Sequence, residues 1–326
     1  MALNGWGYWS LVGATLSTSV IRATAVWVLS PWRPQRFASR SGTRPLLKFG
    51  ADLTLVGVIY ALSRGCDSIL IGRYLGSDAL GVYSRGIALI TRPLDRLIAP
   101  LYAVLVPALS RLQAEPERYR KVFLQMFEAL AIGAFALAGL LLAAAPLLVV
   151  VILGDRWTAA SPILAALSPA VIHILLGSAT SWLYTSQGRG RDLLLTASIG
   201  AAVLVGSFVF GLNFGATGVA VAFSASGLLA LLPITFYMAG RTGPVSTGDL
   251  WRTAAGHLPV FFVVLIATWF SGSYVLSSSS NFARLLFSTA VGATAAAATI
   301  FVFGRSRRVA GSVLTMLANH VSRHHD

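Results

Sequence analysis

An all-α polytopic membrane bundle of about nine transmembrane helices is the fold this sequence predicts. Three observations predict it. Of the 326 residues, 56% are apolar and only 11% are charged, against about 25% charged in an average soluble domain. So few charges cannot coat a water-facing surface of that size. Nine runs reach the length that crosses a bilayer core, about 20 mostly apolar residues. The basic residues cluster in loops on alternate sides of those runs.

The runs come in order. Trp6–Leu29 is the first and carries Arg22. After it the basic stretch Pro31–Lys48 holds Arg33, Arg36, Arg40, Arg44 and Lys48 with no acid. Leu46–Tyr74 and Gly81–Ser110 follow, both with charges inside. Leu124–Leu153 is strongly apolar apart from Glu128 near its start. Ala159–Gln187 contains His173, Pro162 and Pro169. Leu193–Asn213 and Thr217–Ala239 are plain hydrophobic spans. His257–Tyr274 and Arg284–Phe303 close the series. The connections are short, and none has the length of a soluble domain. Met1–Gly13 lacks a basic n-region, so a secretory signal is not expected.

The five basic-rich segments fall on one side and hold seventeen Lys and Arg. The opposite loops and span ends hold four: Arg73, Arg85, Arg156 and Arg284. By the positive-inside rule the rich side is cytoplasmic. That predicts a multi-pass membrane protein with a cytoplasmic C-terminus and an external start. The net charge is +14. In a chain this apolar it reads as cationic loops beside an anionic leaflet, not as nucleic-acid binding.

Ionisable residues inside a membrane are costly, so each is a functional candidate. In the second run, Asp52, Ser63, Asp67, Tyr60 and Arg64 fall within an arc of about 120°. In the third, Arg85, Arg92, Arg96 and Asp95 fall within about 100°, and the three arginines form a ladder. Two readings stay open. The i,i+3 pairs Arg64–Asp67 and Arg92–Asp95 can neutralise each other locally. Alternatively, the surplus arginines face water or an anionic ligand. Arg85 and Glu128 sit near the interfaces. His173 reads as a core histidine and Cys66, the single cysteine, as packing. Pro93, Pro100 and Pro107 recur every seven residues on one face of the third run and are candidate hinges. Pro162 and Pro169 repeat that spacing in the fifth.

The sequence contains no P-loop pattern, no HExxH and no CxxC. No cofactor and no metal site is expected, and an enzyme is not expected. The outer loops are too short for the sizeable loop of a membrane polymerase or ligase.

Several stretches have a familiar order: GWGYWSLV at 5–12, LLKFGADL at 46–53, DSILIGRYLGSDALGVYSRG at 67–86, VPALSRLQAEPERYRKVF at 106–123, LGDRW at 153–157 and FGATGVAVA at 214–222. Together they resemble the bacterial polysaccharide transporters, the Wzx-type flippases of lipid-linked oligosaccharides. These lie within the multidrug/oligosaccharidyl-lipid/polysaccharide exporter superfamily. The resemblance implies two six-helix lobes around a cavity that opens to each side in turn, with twelve or fourteen spans in all. On that reading the first five spans are absent. Residues 1–32 are the last span of the N-terminal lobe and 33–48 a basic cytoplasmic linker. Residues 49–240 form the C-terminal six-helix lobe, and 241–326 an added helix pair with a basic tail.

The implied substrate is an undecaprenyl-pyrophosphate-linked oligosaccharide, for which a cationic cavity is suited. Arg64, Arg92, Arg96, Arg22 and Tyr60 are the implied substrate contacts. Asp52, Asp67 and Asp95 are candidates for ion coupling. The bilayer and a polysaccharide polymerase or export machinery are the implied partners. The alternatives are a multidrug or cation antiporter of the same superfamily, a non-transporting remnant, or a polymerase or ligase of polysaccharide assembly. The excess of basic charge argues against the antiporter, because cationic drugs favour an acidic cavity.

Overall fold

The computed structural model of the chain describes residues 9–30, 44–275 and 280–302. Among them every regular element is helical. The chain divides into two compact units, Met1–Pro45 and Leu46–Asp326.

The first unit contributes helix α1, Trp9–Leu29. Its apolar side chains point outward, among them Leu16, Ile21 and Val28. The hydroxyls of Thr18 and Ser19 donate to the carbonyls of Ala14 and Thr15 one turn back. Such back-bonding satisfies a hydroxyl that would otherwise seek water. Arg22 is exposed on this helix.

The second unit holds the remaining elements. They are α2 Arg44–Tyr74, α3 Gly76–Arg111, α4 Pro116–Leu153, α5 Ser161–Leu167, α6 Ala170–Ser186, α7 Gly190–Leu212, α8 Gly215–Ser226, α9 Leu232–Gly240, α10 Thr247–Ala255, α11 Leu258–Phe270 and α12 Asn281–Val302. Helix α2 begins at Arg44, so the last five residues of the expected 33–48 linker are already helical. Pro45 fits there because a first-turn N–H has no intrahelical partner to lose.

Eight described helices are long and apolar enough to cross a membrane, nine when the bent pair Asp155–Leu167 and Ala170–Ser186 counts as one. They correspond one for one with the nine runs. The outer surface is greasy: Leu229 is 81% exposed and Val104 68%. A water-soluble monomer does not show apolar residues in that way along its helices.

Helix α4 is the centre of this unit, packing against α5, α6, α10, α11 and α12. Its stripe Ala131, Ala134, Ala138 and Ala145 is fully buried. Small residues at that spacing let helix backbones approach closely, which is how membrane helices associate without a hydrophobic drive. Gly139 marks the closest point, where an added Cβ would stand 2.6 Å from the Phe261 carbonyl oxygen of α11. Toward the start of α4, an aromatic chain runs Phe123–Phe127–Phe236–Trp251 with centroids 5.0–5.8 Å apart.

Three of the spans are irregular. The fifth is broken: α5 and α6 meet at a 50° bend across Ser168 and Pro169. Pro169 lacks the N–H that would continue the ladder, and its ring clashes with the preceding turn. The seventh and eighth carry single π-helical turns at Gly227–Leu231 and Ser271–Val275. By contrast α3 runs as one helix through Pro93, Pro100 and Pro107.

At the basic end of the bundle, arginines fasten helices to each other. Arg120 grips Asp249 in a fork, Nε to Oδ2 at 2.9 Å and Nη2 to Oδ1 at 2.6 Å. Asp249 also closes a capping box with Ser246 at the start of α10. Asp192 takes Arg189 and Arg241 together, at 2.8 and 2.9 Å. Arg189 donates further to the carbonyls of Met238, Ala239 and Thr242, capping the end of α9.

Candidate functional site

The intramembrane charges divide into a buried set and an exposed set. Asp52, Ser63 and Asp67 face the bundle and are buried, whereas Tyr60 and Arg64 on the same helix are exposed. The single wet stripe expected on α2 is therefore two faces. The physical reason is that α2 stands at the edge of the unit, so only part of its circumference meets neighbours.

Neither expected local pair forms. Arg64 crosses to α3 and meets Asp95 at 3.4 Å, with both side chains more than half exposed. Asp67 accepts the Tyr83 hydroxyl at 3.0 Å and the Ser68 backbone N–H at 2.6 Å. Tyr83, fully buried on α3, was not singled out by periodicity. An aromatic on an apolar face gives no signal of a hydroxyl aimed at a neighbouring helix.

Along the ladder, Arg85 stacks over the Trp157 ring at 5.3 Å. A guanidinium over an indole face is partly satisfied by the ring. Arg92 and Arg96 are exposed, and no carboxylate lies within ion-pair distance of either among the described residues. The face shared by α2 and α3 thus presents Arg64, Arg92 and Arg96 with one acid, Asp95.

Asp52 lies elsewhere. A Cβ on Gly190, the first residue of α7, would sit 3.2 Å from the Asp52 Cβ. A carboxylate beside a helix N-terminus meets the positive end of the dipole. Fifteen residues separate Asp52 from Asp67, about 22 Å along α2, so one ion cannot bind both. Among the described residues no group of three or more His, Cys, Asp and Glu is placed to hold a metal. Arg22 belongs to the other unit.

His173 is buried as a core residue, edge-on to Phe223 at 5.1 Å. It fills the gap left by Gly227, where any Cβ would strike the ring. Cys66 donates its thiol to the Leu62 carbonyl, consistent with packing.

Residues 1–162 match the family described as polysaccharide biosynthesis protein. Among individual relatives, the chain is 28% identical over 179 residues to the teichuronic acid biosynthesis protein TuaB of Bacillus subtilis (strain 168), covering 55% of this chain and 37% of TuaB. It is 23% identical over 212 residues to the succinoglycan biosynthesis transport protein ExoT of Rhizobium meliloti (strain 1021), covering 65% and 43%. With the lipopolysaccharide biosynthesis protein WzxC of Escherichia coli (strain K12) it shares 26% identity over 159 residues, 48% and 32% of the two chains. These matches span less than half the length of each relative. No solved structure matches the chain. Helical throughout its described residues, with helices long and apolar enough to cross a membrane, the chain is similar over residues 1–162 to the family described as polysaccharide biosynthesis protein.

Proposed function

We propose that the protein moves an undecaprenyl-pyrophosphate-linked oligosaccharide across the bacterial inner membrane for the assembly of O-antigen, capsule or exopolysaccharide. Movement is by alternating access and involves no catalysis. The observation that carries this reading is the arginine face of α2 and α3. Arg92 and Arg96 project from a membrane helix with no carboxylate partner among the described residues. An unpaired guanidinium at that depth needs an anion or water, and a pyrophosphate offers oxygens in the geometry of the guanidinium fork. The likeness to ExoT, a succinoglycan biosynthesis transport protein, supports the same reading.

In this proposal Arg64, Arg92 and Arg96 receive the pyrophosphate or acidic sugars, with Tyr60 one turn from Arg64 on the same helix. Asp67 is the preferred coupling group, because it is a buried carboxylate held by one hydroxyl and one N–H. Asp95 tunes Arg64, and Asp52 serves the α2–α7 contact. Pro93, Pro100 and Pro107 provide flexure in α3. Residues 49–240 act as one lobe, the basic end faces the cytoplasm, and a polysaccharide polymerase or export complex receives the product.

The test is made at the gene's own locus. Cells carrying Arg92→Gln with Arg96→Gln should lose most surface polysaccharide and accumulate the lipid-linked precursor, at unchanged protein level. Arg→Lys at both sites should retain part of the export, since charge survives and the fork does not. Normal export from the double Gln variant would overturn the proposal.

A further inference from the structure

About 39 Å along α4 from Arg120, α4, α11 and α12 part around a cavity of about 310 Å³. Its wall includes Pro146, Thr268, Gly272, Asn281, Arg284 and Ser288. Among the described residues this end of the bundle carries none of the arginine–carboxylate staples of the basic end, and the flipping reading makes no use of it.

Arg284 dominates the cavity electrically. Its Nε and Nη2 donate to the Gly272 carbonyl at 3.1 and 2.6 Å. That carbonyl lies in the π-helical turn Ser271–Val275, where the regular ladder is interrupted. Two of the five guanidinium N–H groups are used and three remain. No carboxylate lies within ion-pair distance of Arg284 among the described residues. A carbonyl dipole fixes the side chain without cancelling its charge.

Thr268 supplies a second and independent sign. It is 1% exposed, lines the cavity, and its hydroxyl has no hydrogen-bond partner. Gly292 makes room for it, since a Cβ there would stand 2.3 Å from the Thr268 Oγ1. An unmade buried hydrogen bond is costly, so such a group is usually answered by a ligand or water. Trp269 and Tyr274 stand exposed at the same end, with rings 5.8 Å apart. Exposed Trp and Tyr collect where hydrocarbon meets headgroups.

We propose that this cavity seats the phosphate of an anionic phospholipid headgroup, with Arg284 as its cation and the Thr268 hydroxyl as a hydrogen-bond donor. The source is a lipid because the cavity opens between three membrane helices at an aromatic-flanked end.

The test uses the full chain, delipidated in dodecyl maltoside, with bound lipid counted by native mass spectrometry. Phosphatidylglycerol should be retained in preference to phosphatidylcholine. Arg284→Gln should weaken that retention roughly tenfold or more, as expected for loss of charged hydrogen bonds, and Arg284→Lys should weaken it less. Thr268→Val keeps shape and breaks no existing bond, so it isolates binding from folding; it too should lower retention. Arg73→Gln, an exposed cation at the end of α2, controls for general attraction to a basic protein and should retain the lipid. Equal retention by wild type, Arg284→Gln and Thr268→Val would overturn the proposal, as would equal loss in Arg73→Gln. Saturation by millimolar inorganic phosphate without any preference for phosphatidylglycerol would assign the pocket to a soluble anion and overturn the lipid assignment.

Discussion

Arg64 reaches across to Asp95, and not down its own helix to Asp67. That choice decides which double substitution is informative. Arg64→Gln alone leaves Asp95 without its cation, and membrane abundance should fall; adding Asp95→Asn should restore it, as read on immunoblots of membrane fractions. Arg92→Gln should leave abundance near wild type, because no partner is stranded. A drop with Arg92→Gln that Asp95→Asn rescues would show that the ladder arginine, and not Arg64, neutralises Asp95. Asp67 makes a separate prediction. Asp67→Asn keeps the shape of the site and one acceptor for the Tyr83 hydroxyl, so the protein should accumulate normally while export is lost. Retained export would remove Asp67 from ion coupling. Helical periodicity placed these charges on the right helices and near the right faces. It missed which side of α2 is covered, because that depends on where neighbours stand and not on the 100° step. The Asp67–Tyr83 bond was invisible for the same reason.

Helices meet where glycine and alanine let them. Gly139 lies against the α11 backbone, whereas an added Cβ at Gly133 meets nothing within 4 Å. Gly139→Val should therefore destabilise the bundle by about 1–3 kcal/mol, the usual cost of overpacking. Gly133→Ala should be neutral or mildly stabilising. Thermal unfolding in detergent separates the two, and equal effects would deny that α4 and α11 pack through Gly139. At the basic end, Ser246→Ala removes half of the α10 capping box and should cost about 1 kcal/mol. The nine hydrophobic runs showed where elements lie, because span length is set by bilayer thickness. Their irregularities were less legible. Three prolines in α3 invited kinks, yet α3 runs as one helix, and of the prolines noted at that spacing it is Pro169 of the fifth run that marks the sharp bend. A proline bends a helix only where its neighbours leave space for the displaced turn, and that is a property of the packing. The π turns at Gly227–Leu231 and Ser271–Val275 had no marker in the sequence beyond glycine itself.

At the scale of the whole molecule, the alternation of basic and poor loops fixes an expected topology. Reporter fusions after Arg44, Arg120, Arg191, Arg252 and Arg308 should read cytoplasmic, and fusions near Ser77, Asp155 and Ser278 external. Opposite readings at two or more sites would overturn the nine-span map. The bundle itself shows why some of that alternation serves folding too: Arg120, Arg189 and Arg241 are engaged with Asp249 and Asp192. The loop charge count could not reveal the bonds of Arg120 and Arg241, since their acids come from other helices, whereas Arg189 and Asp192 form a local i,i+3 pair. In the proposed function the arginine face carries a pyrophosphate-linked oligosaccharide from one leaflet to the other. The most direct measurement is the sidedness of that lipid in spheroplasts, read by a membrane-impermeant glycosidase acting on the outer leaflet. Cells with the protein should expose the lipid-linked oligosaccharide to the enzyme, and cells with Arg92→Gln and Arg96→Gln should keep it protected at equal total amount. Equal exposure in both would show that the arginine face does not carry the lipid across.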